Sequence, residues 1–205
     1  MKHEKLNIDE TLYRRALETE GFFTEDEALL LMRTISKAPC EAWLLEIGSY
    51  KGRSTLFALS VLLATQRWVI VDKFVNAAKY AGHSFLLLLS SIAQSNVSIL
   101  PMTLFDAWPH LEGRRFDVVF IDADHSLLGF SQDLAVAVAL CQIGGTILCH
   151  DVNEIFPGVR LIAESVVKAG VLAERERAGS LVRYEIMDRP QWLWNPAAVM
   201  PEGRA

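Results

Sequence analysis

Apolar residues along the chain follow two alternating patterns. Short apolar runs typical of buried strands alternate with stretches in which apolar residues recur at helical spacing. The predicted strands cover residues 43–47, 68–71, 97–102, 116–121, 146–149 and 181–186. The predicted helices between them cover residues 54–63, 77–94, 128–141 and 158–169. This alternation predicts an α/β fold with a doubly wound, mostly parallel, Rossmann-like sheet.

The first 40 residues have a helical pattern and no strand signal. Residues 8–20 read as a short polar helix with an apolar stripe. Thr24 and Glu27 have the spacing of a capping box, so a second helix is predicted to start there and to end before Pro39. We therefore expect a single domain over residues 1–205, with N-terminal helices in 1–40, an α/β core in 41–188 and a tail in 189–205. The tail contains Trp192 and Trp194, to which the pattern assigns no role.

Composition argues against nucleic acid and membrane as partners and suggests a compartment. The net charge is −5 and Lys and Arg are scattered, which argues against a nucleic-acid partner. The spacing of Cys40, Cys141 and Cys149 does not suggest a disulfide framework or a zinc cluster, in agreement with a reducing compartment. No apolar stretch is long enough for a membrane span, and the polar start lacks the features of a signal peptide. We expect a cytoplasmic protein without a membrane partner.

Polar and ionisable residues collect where the predicted strands end. In open α/β sheets, ligands bind beyond the carboxyl ends of the strands. Like charges repel, so a purely structural protein has no reason to gather carboxylates at one edge. The residues at these ends are Glu46, Gly48, Ser49, Asp72, Met102, Thr103, Asp122, Asp124, His125, His150 and Asp151.

The loop after the first strand is rich in glycine. Gly48 and Gly52 bracket a turn from strand to helix, where backbone can pass under a ligand without a side chain in the way. The helix that follows favours a negatively charged group at its N-terminus. An ordinary strand-to-helix turn has the same pattern. The dinucleotide fingerprint G-x-G-x-x-G is absent, which argues against a nicotinamide-dependent oxidoreductase.

Three further motifs carry candidate chemistry. Asp72 follows the second strand, where it can accept the hydroxyls of a ribose or cap the next segment. Asp122 and Asp124 are two residues apart, so one can face a cofactor and the other a substrate or metal, unless both are solvated loop charges. Asp122, His150 and Asp151 together can bind a divalent cation, and this ligand set suits Mn²⁺, Fe²⁺ or Zn²⁺ better than Mg²⁺. His150 can instead bond backbone.

These motifs, in this order, resemble those of class I S-adenosylmethionine-dependent methyltransferases. The resemblance rests on Glu-Ile-Gly-Ser-x-x-Gly-Arg-Ser-Thr at 46–55, Asp72, Ile-Asp-Ala-Asp-His-Ser at 121–126, and the Gly-Gly and His-Asp pairs within 144–151. It is strongest to an O-methyltransferase-like bacterial branch and runs from about residue 20 to residue 170. It implies S-adenosylmethionine as cofactor and O-methylation of a small hydroxylated metabolite.

The resemblance also implies roles for the strand-end residues. The loop with Glu46, Gly48 and Ser49 would line the methionine part of the cofactor, together with Tyr50, Gly52 and Ser54. Asp72 would bind the ribose hydroxyls, Met102 and Thr103 would flank the adenine, and Asp122 and Asp124 would complete the cofactor site. Related catechol and caffeoyl-coenzyme A O-methyltransferases hold a metal at the positions of Asp122, His150 and Asp151. Those relatives have an acid where this chain has His150 and usually an amide where it has Asp151.

An oxygen nucleophile must lose its proton before it can accept a methyl group. A bound metal can lower the pKa of that hydroxyl, or a histidine can act as general base. His125 and His150 are the candidates for this base, and His125 is the better one if His150 binds metal. Two alternatives remain: a non-catalytic S-adenosylmethionine-binding or interaction protein, and an oxidoreductase on a related sheet. Oligomeric state is open, with a homodimer as the default.

Overall fold

The strands of the computed structural model form one seven-stranded sheet within residues 6–74 and 96–189, the part of the chain that it describes. They are β1 (Trp43–Ile47), β2 (Arg67–Val71), β3 (Val97–Leu100), β4 (Phe116–Ile121), β5 (Cys141–Cys149), β6 (Leu172–Ala178) and β7 (Leu181–Ile186). The strand order is β3-β2-β1-β4-β5-β7-β6. The first five strands pair in parallel, and β7 lies antiparallel between β5 and β6. The predicted fold class is confirmed.

Helices flank this sheet. They are α1 (Glu10–Glu18), α2 (Glu25–Lys37), α3 (Arg53–Leu59), α4 (Leu104–Leu111), α5 (Leu127–Leu140) and α6 (Pro157–Lys168). The helix predicted at 77–94 lies outside the described residues, as do Trp192 and Trp194 of the tail. Of the helices in the described ranges, none combines the length and the apolar character that crossing a membrane would need.

Two elements were not predicted. Helix α4 contains Pro109, which has no backbone N–H and weakens the helical signal, although Thr103 caps its first turn by accepting a hydrogen bond from the Asp106 N–H. Strand β6 alternates Glu and Arg and lies at the sheet edge, so it has no apolar period to detect. Strand β5 also starts earlier than predicted, because its pairing with β4 shifts register around Gly144 and Gly145.

The sheet separates two apolar cores. Along β2, Trp68 and Ile70 face the core formed with α1, α2 and α3, whereas Val69 and Val71 face the core formed with α4, α5 and α6. This alternation follows from the two-residue period of a strand. Burial on both faces explains the nearly continuous apolar character of the parallel strands.

Arg53 ties the N-terminal helices to the core. Its guanidinium donates hydrogen bonds to the carbonyl oxygens of Ala16, Leu17 and Thr19 at the end of α1, at 2.8–3.1 Å, and to that of Phe23 at 2.8 Å. The last carbonyls of a helix lack partners within the helix and carry partial negative charge, so a cation there is favourable. Arg53 directly follows Gly52, and the loop after β1 and the end of α1 are therefore fixed together.

Glu46 lies in the core between β1 and α3, fully shielded from solvent. Its carboxyl accepts hydrogen bonds from the hydroxyls of Ser54 at 2.9 Å and Thr55 at 2.8 Å, and from the indole N–H of Trp68 at 3.1 Å. Burial nevertheless raises the pKa of Glu46 to about 8, because desolvation outweighs these hydrogen bonds. At neutral pH the neutral acid is therefore the main form, and it joins the strand to the helix.

Replacing Arg53 by Ala should destabilise the fold, because four backbone carbonyls lose a charged donor. We expect a loss of about 2–4 kcal/mol in the free energy of unfolding, which corresponds to a Tm lower by roughly 5–15 °C. Arg14→Ala removes the same charge from the exposed side of α1 and serves as the matched control. Equal Tm values for the two variants would show that the carbonyl contacts do not stabilise the fold.

Glu46→Gln should change how stability depends on pH. The folded-state pKa of Glu46 is raised from 4.5 to about 8, so folding favours the protonated form and the wild type loses stability as pH rises across this window. Glutamine mimics the neutral acid and lacks this dependence. Between pH 5 and pH 8, the free energy of unfolding of E46Q should therefore increase relative to that of the wild type by up to about 1.4 kcal/mol per pH unit. The Tm of E46Q should rise relative to the wild type over the same range. A difference that stays constant with pH would contradict the raised pKa.

Candidate active site

A cavity of about 520 Å³ lies at the carboxyl edge of the parallel strands. Ligand pockets typically measure about 300–1,000 Å³, so the cavity can accept a cofactor-sized molecule. Seven of the predicted cofactor residues line it: Gly48, Tyr50, Asp72, Met102, Thr103, Asp122 and Asp124. The other four predicted residues, Glu46, Ser49, Gly52 and Ser54, are buried and are not among the lining residues.

Backbone geometry shapes the loop after β1. Gly48 has φ +86°, and a Cβ there would collide with the backbone carbonyl of Asp122 at the end of β4. Gly52 has φ +88° and Tyr50 has φ +50°, so the loop repeatedly uses the left-handed region. Only a glycine at 48 lets the two loops approach this closely, and this contact brings Asp122 to the cavity.

Asp72 holds the same loop through its carboxylate. Its Oδ2 accepts hydrogen bonds from the N–H groups of Ser49 at 2.7 Å and Tyr50 at 2.8 Å, and its Oδ1 accepts one from Phe74 at 2.6 Å. Asp72 thus caps backbone N–H groups, which is one of its two predicted roles. It also lies in the cavity wall, where the other predicted role, binding of ribose hydroxyls, would need it.

Some lining residues were not predicted. Lys51 and Lys73 come from the loops after β1 and β2, and Gln132 and Asp133 come from the second turn of α5. Burial raises the pKa of Asp133 to about 6, with a further contribution from the nearby charge of Asp124. The available signal was a polar pair, Gln132 and Asp133, in an otherwise apolar helix.

Asp122, His125 and Asp151 form a cluster beside the cavity. The Nε2 atom of His125 lies 2.9 Å from Asp151 Oδ2 and 3.5 Å from Asp122 Oδ1. One potential ligand atom from each residue lies within 4.8 Å of the others, which is a spacing that suits a cation. The close carboxylates of Asp122 and Asp151 raise the pKa of His125 to about 9. Asp151 has φ +59°, an uncommon backbone conformation of the kind found at functional sites.

Phe156 covers one side of this cluster. Its ring centroid lies 4.5 Å from that of His125, with the planes tilted by 30°. Phe156 directly precedes α6, and a Cβ at Gly158 would lie 3.0 Å from the backbone nitrogen of Leu127 at the start of α5. The starts of the two helices therefore pack closely and hold Phe156 against the imidazole.

His150 lies deeper than His125, with a side chain only 4% exposed. Its Nδ1 is 3.0 Å from Asp122 Oδ1 and 3.4 Å from Asp151 Oδ2. Its Nε2 is 3.4 Å from Oε1 of Glu27. Burial opposes a charged ring, but the nearby carboxylates of Asp122, Asp151 and Glu27 outweigh it and raise the pKa of His150.

The structure thus separates the two histidines of the sequence analysis. It groups His125, rather than His150, with Asp122 and Asp151 at a spacing that suits a cation. His150 is the inner partner of the same two carboxylates. The predicted ligand set, Asp122, His150 and Asp151, contains the other imidazole, because sequence order alone does not tell which histidine has this spacing; that set stays a prediction.

Comparisons with known proteins identify the family of the chain. The methyltransferase domain family matches residues 45–152. No curated protein sequence matches the chain significantly.

Solved structures with the same fold include three proteins described as O-methyltransferases. A putative O-methyltransferase from Klebsiella pneumoniae is 19% identical, with a TM-score of 0.65 and 87% of each chain covered. The O-methyltransferase TomG of Streptomyces achromogenes, involved in tomaymycin synthesis and solved in complex with SAM, is 17% identical, with a TM-score of 0.66 and coverage of 90% of this chain and 93% of TomG. An O-methyltransferase of Bacillus cereus, solved in complex with SAH, is 18% identical, with a TM-score of 0.63 and coverage of 88% and 92%.

The family match spans more than half of the chain and includes the loop after β1, Asp72, Asp122 and the end of β5. The structural likeness extends the agreement to the whole sheet. The chain therefore belongs to the methyltransferase domain family, and its assignment to the class I S-adenosylmethionine-dependent methyltransferases is confirmed at the level of family and fold.

Proposed function

We propose that this protein transfers a methyl group from S-adenosylmethionine to a hydroxyl oxygen of a small molecule. The observation that carries the proposal is a cofactor-sized cavity that ends at Asp122, one residue of a carboxylate–imidazole cluster. The cavity can hold the methyl donor, and the cluster can handle the acceptor proton. The O-methyltransferases with the same fold support an oxygen acceptor, and the absence of a basic block supports a small molecule over nucleic acid.

We assign residues of the cavity wall to parts of the cofactor as follows. Three backbone N–H groups already use the Asp72 carboxylate, which leaves about one acceptor position for a ribose hydroxyl. Met102 and Thr103 would flank the adenine, and the backbone at Gly48 and Tyr50 would pass beneath the methionine part. Glu46, Ser49, Gly52 and Ser54 would act indirectly, by holding this loop.

S-adenosylmethionine supplies a methyl group on a positively charged sulfur, so the donor needs no further activation. The protein must align the acceptor oxygen with that methyl group, which is an entropic contribution. Asp122 and Asp124 in the cavity wall favour a positive charge nearby. Phe156, packed on His125, covers one side of the cluster and limits the access of water from there.

We further propose that Asp122, His125 and Asp151 hold a divalent cation. The fit rests on their spacing and on the Nε2 atom of His125, which is buried and makes no aligned hydrogen bond although both carboxylates are close. Two carboxylates and one imidazole suit Mn²⁺, Fe²⁺ or Zn²⁺ better than Mg²⁺. Such a cation would lower the pKa of the acceptor hydroxyl. Without the cation, His125 would act as the general base from its neutral form, and its raised pKa would then make methyl transfer faster as pH rises toward 9.

The three free cysteines support a reducing compartment as the location of this protein. Cys40, Cys141 and Cys149 are all unpaired, and burial raises the pKa of the Cys141 thiol to about 12, which makes it unreactive. We infer a reducing compartment, with the cytoplasm as the proposed location.

Thermal unfolding with S-adenosylhomocysteine tests the cofactor site. At about 100 times its Kd, the ligand should add about 2.7 kcal/mol and raise the Tm by roughly 5–10 °C, whereas NAD should not. Asp72→Asn should weaken binding by about tenfold or more, because the ribose loses a charged acceptor. Glu112→Gln, on the exposed end of α4, is the matched control. A rise with NAD alone, or none with S-adenosylhomocysteine, would contradict the proposal.

Mn²⁺ binding tests the cation site separately from activity. The free Mn²⁺ signal in electron paramagnetic resonance should fall when wild-type protein is added, and His125→Ala and Asp151→Asn should each weaken binding by about 10–100-fold. A chelator should slow the formation of S-adenosylhomocysteine in reactions with hydroxylated acceptors, and added Mn²⁺ should restore the rate. If Mn²⁺ does not bind and chelation has no effect while H125A still abolishes turnover, His125 is the base and the cation proposal is wrong.

A further inference from the structure

Helix α2 brings a carboxylate into the inner side of the candidate site. Glu27 lies at its third residue, and its side chain is 3% exposed. Although it comes from the N-terminal helices, its Oε1 lies 3.4 Å from the Nε2 of His150. A capping box explains one end of this side chain but not why the other end points at an imidazole of the site.

Both oxygens of Glu27 are held in place. Oε2 accepts hydrogen bonds from the N–H and the hydroxyl of Thr24, both at 2.8 Å. Oε1 accepts hydrogen bonds from the N–H and the hydroxyl of Ser180, also at 2.8 Å, in the turn between β6 and β7. A Cβ at Gly179, which has φ +55°, would lie 2.7 Å from Oε1, so that turn packs directly on the carboxylate. Four donors thus fix the carboxylate in front of His150.

His150 continues the contact toward the cavity. Its opposite nitrogen, Nδ1, is 3.0 Å from Oδ1 of Asp122, and that same oxygen faces His125. The ring of Phe23 packs on His150 with centroids 5.2 Å apart and limits how the imidazole can tilt. A continuous series of carboxylate, imidazole, carboxylate and imidazole therefore runs from Glu27 to His125.

We propose that Glu27 is a positioning residue for methyl transfer: it orients the His150 ring against Asp122 and so fixes the Asp122 carboxylate toward the cavity. The proposal rests on the proposed methyltransferase function. Glu27 does not line the cavity, so it acts through His150 rather than on substrate or cofactor. The Nε2 of His150 makes no aligned hydrogen bond, so Glu27 acts on the ring through its charge at 3.4 Å. Without the carboxylate, Nε2 would lose this charged partner in a buried site, and one of the contacts that orient the ring would be gone.

Glu27→Gln tests this role, because the side chain keeps its size and loses its charge. We expect kcat to fall by about 10–100-fold, with the KM for S-adenosylmethionine and the affinity for S-adenosylhomocysteine within about twofold of wild type. The ring-nitrogen signals of His150, observed in nitrogen-15-labelled full-length protein, should shift. Glu25→Gln is the matched control: it removes the same charge from the exposed first turn of α2, away from His150, so it should leave kcat and the His150 signals unchanged.

If E27Q does not fold, Glu27→Asp replaces it. Aspartate keeps the charge but withdraws it by one methylene, so the His150 signals should shift in the same direction by less. Unchanged His150 signals in the Glu27 variants would overturn the proposal, and so would an equal loss of kcat in E25Q. Wild-type protein that neither binds S-adenosylhomocysteine nor transfers methyl groups would overturn the proposed function, whereas the His150 signals would still decide whether Glu27 orients the ring.

Discussion

The site depends on one close backbone approach, that of Gly48 to the carbonyl of Asp122. Because no side chain stands between them, the loop after β1 lies directly against the end of β4. Asp72 holds the first loop through two backbone N–H groups, and Asp122 meets both imidazoles from the second loop. Cavity and cluster are therefore adjacent because two neighbouring parallel strands end in loops that touch. Any residue larger than glycine at 48 would separate the two halves of the site.

Much of this architecture could be predicted from the sequence, because strong local signals carry it. The parallel strands are buried on both faces and read as apolar runs, and the Thr24–Glu27 capping box marks the start of α2. Strand ends meet at one edge by topology, so their polar residues identified the region of the site without contact information. Seven of the predicted cofactor residues do line the cavity, although their individual roles stay predictions.

The remainder could not be predicted because it depends on contacts between distant segments. The burial of Glu46 depends on three donors from α3 and β2, which the local sequence did not reveal, and its role at the cofactor stays a prediction. Glu27 had a complete local explanation as a cap, so nothing in its neighbourhood pointed to His150. The different surroundings of the two histidines likewise depend on distant segments, because Phe23 packs on His150 and Phe156 packs on His125.

The guanidinium of Arg53 also has a consequence for dynamics. Arg53 is the first residue of α3 and directly follows the loop that borders the cavity. Its guanidinium donates hydrogen bonds to the last carbonyl oxygens of α1. Local opening of α1 must therefore release the start of α3, and a molecule that orders the loop restrains both. Amide hydrogen exchange at the end of α1 would then slow when the distant cavity is filled, so the first helix can report on occupancy without touching the ligand.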